Sequence, residues 1–218
     1  MALSKLTYNS LNVTATASKG IGFDSGADDL AATFTGGSMT FIKKITASAD
    51  STISFVDGTS DVVLDDTYKE YIFTFKDIHP ETDSEAFQFN LSADTGSNYN
   101  VTKTSTYFNA ANNETSGDSF LEYTTALDLA QSTGFQGISN ASGSDSDQAI
   151  AGLLTLFNPS STTFVKHFIA NTSDYTFNDY NRNSFIAGYG NTTSAVNAIQ
   201  FKMNSGTFDG DICLYGIA

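Results

Sequence analysis

The sequence predicts an all-β protein, a single antiparallel two-sheet sandwich of the jelly-roll or lectin-like type. Three observations predict it. Short segments alternate apolar and polar residues with period two, and clusters of Gly, Asn, Asp and Ser separate them. Charged residues make up only 16% of the chain against 40% hydrophobic ones, so amphipathic surface helices lack their usual building material. Period two puts successive side chains on opposite faces of a strand, and a strand with one wet face belongs to an antiparallel sheet.

In chain order, the first thirty residues are the least regular. "LTYNSLNVTATA" holds β-type residues whose alternation drifts, so 1–30 reads as an N-terminal arm or edge segment and 31–218 as the sandwich domain. In "YIFTFKDIH", Tyr71, Phe73 and Phe75 share one face, and His79-Pro80 reads as a strand-ending turn. "AFQFNLSAD" sets Phe87, Phe89 and Leu91 against a wet face of Gln88, Asn90 and Ser92. "LEYTTALDL" aligns Leu121, Tyr123, Thr125, Leu127 and Leu129.

Ser139–Gln148, "SNASGSDSDQ", reads as a surface loop, while "AIAGLLTLF" (149–157) is apolar enough for a strand buried on both faces. "AIQFKM" alternates again at Ile199, Phe201 and Met203. The closing "FDGDICLYGIA" puts Ile212, Leu214 and Gly216 on one side and Cys213, Tyr215 and Ile217 on the other. Apolar on both sides, it reads as an interior sheet strand facing the core and either the other sheet or a neighbouring subunit. Turn clusters fall at 24–29, 35–37, 56–61, 94–98, 112–118 and 204–206.

The net charge is −14, and most of it precedes Ile150: positions 1–149 hold 20 acids and 7 bases, positions 150–218 hold 4 and 3. Nucleic-acid binding needs clustered cations and is not expected, nor is attraction to an anionic membrane. Cys213 is the single cysteine, so no intrachain disulfide forms. The N-terminus has no continuous apolar run of a secretory signal, and no segment approaches a membrane span.

Candidate chemistry is sparse. Glu81, Asp83 and Glu85 follow His79 and would face one way on a strand, as a paired-carboxylate glycosidase requires. Their Glu-x-Asp-x-Glu spacing misses the Glu-x-Asp-x-x-Glu of laminarinase-type sandwiches, and a solvated acidic loop explains them without a catalyst. Asp145 with Asp147, and Asp209 with Asp211, offer carboxylates to calcium without the ligand density of an EF-hand. His167 in "TFVKHFIA" reads as a partly exposed strand histidine, and with two His and one Cys a zinc site is not expected. No G-x-S-x-G, P-loop or dinucleotide motif occurs, so no catalytic residue, metal ligand or cofactor is assigned. The residues best suited to touch a glycan are in "SDYTFNDYNRNS": Tyr175 and Tyr180 as platforms, with Asn178, Asn181 and Arg182 as hydrogen-bonding partners.

"LTYNSLNVTA", "YKEYIFTFKDIHP", "LFNPSSTTFVKHF", "AGYGNTTSAVNAIQFKMNSG" and "GDICLYGIA" together resemble structural proteins of marine tailed bacteriophages, including those infecting cyanobacteria. The resemblance spans nearly the whole chain and implies a non-enzymatic virion component made in the host cytoplasm. It would be a jelly-roll or lectin-like module serving as capsid decoration or as part of a tail fibre. Its expected partners are other virion proteins and further copies of itself, with a host-surface glycan as the alternative ligand. The group carries no site motif, so the resemblance assigns no functional residue.

Overall fold

The computed structural model describes residues 38–115 and 117–217 in full and, before them, the backbone of 20–23 and 30–34. The chain divides into two compact units, Met1–Thr40 and Phe41–Ala218. In the first, β1 (Gly20–Phe23) and β2 (Leu30–Phe34) pair antiparallel. Most of the arm read in residues 1–30, and the turn clusters at 24–29 and 35–37, lie outside the described residues.

The rest is an all-β sandwich, with no helix among the described residues. Its strands are β3 (Met39–Asp50), which starts at the junction, β4 (Ile53–Val56), β5 (Glu70–Pro80), β6 (Phe87–Ser92), β7 (Lys103–Asn113) and β8 (Ser119–Tyr123). They are followed by β9 (Gln136–Gly137), β10 (Ile150–Phe157), β11 (Lys166–Tyr175), β12 (Tyr180–Gly190), β13 (Ala198–Met203) and β14 (Phe208–Ile217). An eight-stranded sheet runs β3-β14-β5-β10-β11-β12-β7-β8, and a four-stranded sheet runs β4-β13-β6-β9.

Aromatic rings join the two sheets. Phe73 and Phe75 of β5 meet Phe201 of β13 at 5.4 and 5.3 Å between ring centroids, and Phe75 meets Phe87 of β6 at 5.2 Å. Phe89 of β6 meets Phe168 of β11 at 5.0 Å, nearly edge to face. All six are buried. Each such side chain contributes about 1.5–3 kcal/mol by leaving water, and edge-to-face ring pairs add about 0.5–1.5 kcal/mol.

The strand read in "YIFTFKDIH" continues through Pro80, which pairs with Phe208, so the turn comes one residue later than the His79-Pro80 signal suggests. The reason is a bulge. Asp77 takes a positive φ of 51°, and two β5 residues, Asp77 and Ile78, oppose Gly210 alone. The extra residue resets the alternation, turning Ile78 and Pro80 inward after Phe75. Gly210 is needed opposite: its φ is 127°, and a Cβ there would lie 2.5 Å from the Asp77 carbonyl oxygen.

β14 is an interior strand between β3 and β5, as its two apolar sides require. Phe208, Ile212 and Leu214 are fully buried, and Cys213, Tyr215 and Ile217 are half-buried on the outer face. The Tyr215 ring meets Phe41 of β3 at 5.6 Å.

Four other expectations are corrected. The polar side of β6 is not wet: Asn90 and Ser92 are buried, and the Asn90 side-chain amide donates to the Tyr99 and Thr133 carbonyls at 2.6 and 3.0 Å. The strand in "LEYTTALDL" stops at Tyr123, because the Leu127 N–H closes a turn onto the Thr124 carbonyl at 3.1 Å. β10 is buried on one face only, with Leu153 turned out. In Ser139–Gln148 only 145–147 are exposed. Ser139 Oγ accepts the Phe87 N–H at 2.9 Å, and the Gln148 amide donates to the Thr176 carbonyl at 3.1 Å, so this segment is tied to the sheet edge.

Candidate functional site

The acidic residues considered for catalysis do not converge. Glu81 Oε2 accepts the Thr207 hydroxyl, Asp83 Oδ1 accepts the Ser144 N–H at 3.2 Å, and Glu85 lies in the bridge that pairs it with Ser142. Of the calcium candidates, Asp145 and Asp147 are exposed in the 139–148 segment, and Asp209 and Asp211 are engaged by β3. Asp209 Oδ1 accepts the Ala49 N–H at 2.7 Å, and Asp211 accepts the Thr46 hydroxyl at 2.5 Å and the Lys44 ammonium at 3.1 Å. Both therefore fasten edge strand β3 to β14. Among the described residues no three His, Cys, Asp or Glu side chains gather in a way that could hold a metal ion.

The glycan candidates straddle the β11–β12 hairpin, and strand alternation divides them between its faces. Tyr175 and Asn181 are paired across the hairpin and point outward. Arg182 points inward and is buried, with Nη1 donating to the Asn140 carbonyl. Tyr180 shares Arg182's side of the strand by alternation and donates its hydroxyl to Asp118 at 2.7 Å. Asn178, in the connecting turn, accepts the Thr176 hydroxyl at 2.8 Å. The five residues do not form one surface.

The feature that stands out lies on four adjacent strands of the large sheet, β10, β11, β12 and β7. They carry four Asp, Glu, Lys or Arg residues: Lys103, Lys166, Asp174 and Arg182. All four are buried, on the inward face. The outward face holds Phe108, Leu153, Ile169 and Phe185, each at least 40% exposed. Polarity on these strands is thus reversed in part: the charged side chains are inside, beside core residues such as Leu154, Phe168 and Ile186, while four large apolar side chains are outside.

The inward half of this reversal has a local cause. Under β7, β11 and β12 the second layer is largely the irregular segment 124–149 with the short β9, whose backbone groups need partners. The inward polar residues supply them. Ser105 Oγ accepts the Leu129 N–H at 3.0 Å, Thr172 donates to the Ile138 carbonyl, and Arg182 to that of Asn140. Asn109 donates to the Thr124 hydroxyl at 2.8 Å. Lys166 binds three loop carbonyls, Ser161 and Phe164 at 2.7 Å and Thr192 at 3.2 Å. Lys103 donates to Asn90 Oδ1 and to the Val101 carbonyl.

Burial shifts these groups toward their neutral forms. The Lys103 ammonium is pulled down to about 7, Lys166 is lowered in the same direction, and the Asp174 carboxyl is pushed up to about 7.

The outward half has no such cause, and its rows follow the register. Tyr123, Phe108, Phe185, Asn171, Leu153 and Thr74 lie side by side across β8, β7, β12, β11, β10 and β5. The next row is Thr106, Ala187, Ile169, Thr155 and Ile72, and the one beyond it contains Thr104, Tyr189 and His167. Phe108 and Phe185 stack at 5.0 Å with a 9° interplanar angle and form a ridge. Tyr189 and His167 meet at 6.0 Å and form a second ridge. Between the ridges the small side chains of Thr106 and Ala187 leave two adjoining hollows of about 460 and 420 Å³, which share Thr106, Ile169 and Ala187. Their walls are mainly carbon.

Exposed Phe, Ile and Leu at adjacent positions could have been found in the sequence only with the strand pairing in hand. "TSTYFNA" and "NSFIAG" each contain two apolar residues of opposite parity, Tyr107 with Phe108 and Phe185 with Ile186. Either phase is a plausible core.

Searches against protein-family models, curated proteins and solved structures return no match for this chain.

Proposed function

We propose that the protein is a non-enzymatic structural component of a tailed-bacteriophage particle, serving as capsid decoration or as a tail-fibre-like module. One observation carries this reading: the outer face of β10, β11, β12 and β7 holds no Asp, Glu, Lys or Arg and exposes Phe108, Leu153, Ile169 and Phe185, in a chain of net charge −14. Large apolar side chains exposed together on one face mark an assembly surface, because their contact with water disfavours a free monomer. The resemblance to marine phage structural proteins read in the sequence, over nearly the whole chain, points to the same role. Labelling purified particles with antibody to this chain and imaging them by electron microscopy tests it. Label on head or tail at regular positions is the expected result, and its absence from intact particles refutes the assignment.

A second reading, a glycan- or receptor-binding module, is favoured by a different part of the same face. At its far end Tyr175, Asn181, Ser173 and Asn183 all point outward, an aromatic ring beside hydrogen-bonding side chains. Glycan-array binding that Tyr175→Ala abolishes would establish that reading.

A further inference from the structure

The geometry points to a second copy of this chain as the occupant of the outer face: two copies pack sheet to sheet through β10, β11, β12 and β7, each placing its Phe108–Phe185 ridge in the other's Thr106–Ala187–Ile169 hollow. This names the partner of the face identified above and rests on reading that face as an assembly surface.

Three features select a copy over another occupant. The first is charge. Two chains of net charge −14 repel on approach, and the centre of a protein interface is depleted of charged residues. The outward positions of β10, β11, β12 and β7 hold no Asp, Glu, Lys or Arg.

The second is self-complementarity. A two-fold interface needs both shapes on one surface, because residue i meets residue j and j meets i. The Phe108–Phe185 ridge and the hollow beside it are adjacent rows of the same sheet.

The third is area. The four strands, about 4.8 Å apart and about 27 Å long along β7 from Thr104 to Asn112, present roughly 520 Å² on each copy. Two such faces give about 1,040 Å² in total, at the ~1,000 Å² that a specific interface must clear. Charged side chains return only toward the margin, as Glu70 and Lys76 at the two ends of β5. The carbon-lined hollows suit an inserted ring better than a sugar, which would leave its hydroxyls unpaired.

The test is sedimentation equilibrium of the full chain over the micromolar range at low and moderate salt. Phe185→Asp, Ile169→Asp and Lys202→Glu are run alongside, each checked for folding by circular dichroism and thermal melting. Both outer-face side chains are partly exposed, so their variants should fold; Lys202 is on the other sheet and controls for added negative charge. The wild type should self-associate, more tightly as salt screens the repulsion. Phe185→Asp and Ile169→Asp should each weaken association at least a hundredfold, and Lys202→Glu should leave it within severalfold of wild type. A wild-type chain that stays monomeric at moderate salt overturns the inference. So does association that survives both folded outer-face variants, or a monomer that retains a glycan on this face. Particle labelling reads the virion role separately: a monomer found on particles sinks self-association alone, and an oligomer missing from particles sinks the virion role alone.

Discussion

Asp174 and Arg182 sit directly opposite each other on β11 and β12, both turned inward, and no ion pair within 4.0 Å joins them. Arg182 reaches instead to the Asn140 carbonyl, and Asp174 Oδ2 accepts the Ser142 hydroxyl at 3.4 Å. Asp174 Oδ1 and Arg182 Nε find no partner. The carboxyl is thus desolvated and only partly compensated, which raises its pKa from 3.8 to about 7.

A raised carboxyl pKa means the unfolded chain releases this proton at lower pH than the folded one. Stability contributed at this site is full below the unfolded value and declines as pH rises from about 4 to about 7, by up to roughly 4 kcal/mol. Asp174→Asn should flatten that decline. Urea unfolding at pH 5 and pH 8 measures it: the wild type should lose stability between the two relative to the variant.

Lys103 gives a ramp of the opposite sign at higher pH. Its folded pKa, lowered to about 7 by burial, lies below the unfolded 10.5, so the unfolded chain holds more protons between those values. Its contribution to stability rises as pH climbs from 7 toward 10. Lys103→Met should remove this rise, read as the difference in unfolding free energy between pH 7 and pH 9.5. Part of the slope will persist, because Lys166 is shifted the same way.

The closing strand should be indispensable. A chain ending at Asp211 exposes the inner edges of β3 and β5 together and loses the buried Ile212 and Leu214. Against a typical total of ~5–15 kcal/mol that loss is prohibitive, so no cooperative thermal transition is expected. A milder probe is Gly216→Ala: its Cβ would fall 2.3 Å from the Tyr68 ring, itself packed edge-on against Tyr71 at 5.8 Å. Overpacking of this kind costs about 1–3 kcal/mol, measured by chemical denaturation.

Asp211→Asn tests the fastening of the sheet edge. The carboxylate is held below its usual range by the Thr46 hydroxyl and the Lys44 ammonium. Its contribution is therefore present above the unfolded value and lost as pH falls through the lower folded one. Amide exchange in Lys44–Ala49 should accelerate in the variant, with β10 to β12 unaffected.

The fold was legible where one face of a strand is oil and the other water. Tyr71, Phe73 and Phe75, or Phe87, Phe89 and Leu91, declare their inward side by alternation alone. β14 was legible because both of its sides are apolar. Legibility failed at three kinds of place. Asp77 adds a residue that shifts the phase, Asn90 and Ser92 are covered by chain instead of water, and Thr124 turns the backbone where the alternation runs on. The candidate face was illegible for a related reason, since it is defined by neighbours as far apart as Phe108 and Phe185.

By itself the sequence determined that this chain builds antiparallel strands, because period two and turn chemistry act locally and do not depend on which strands meet. Only the tertiary structure decided which side of β10, β11, β12 and β7 is inside. There an irregular segment, 124–149, lies beneath the sheet, and its backbone carbonyls and amides are met by the inward side chains of Arg182, Thr172 and Ser105. The aromatic residues next to them are left facing water by alternation. A buried polar group must find a partner, and in these strands that requirement outweighs the exposure of phenylalanine.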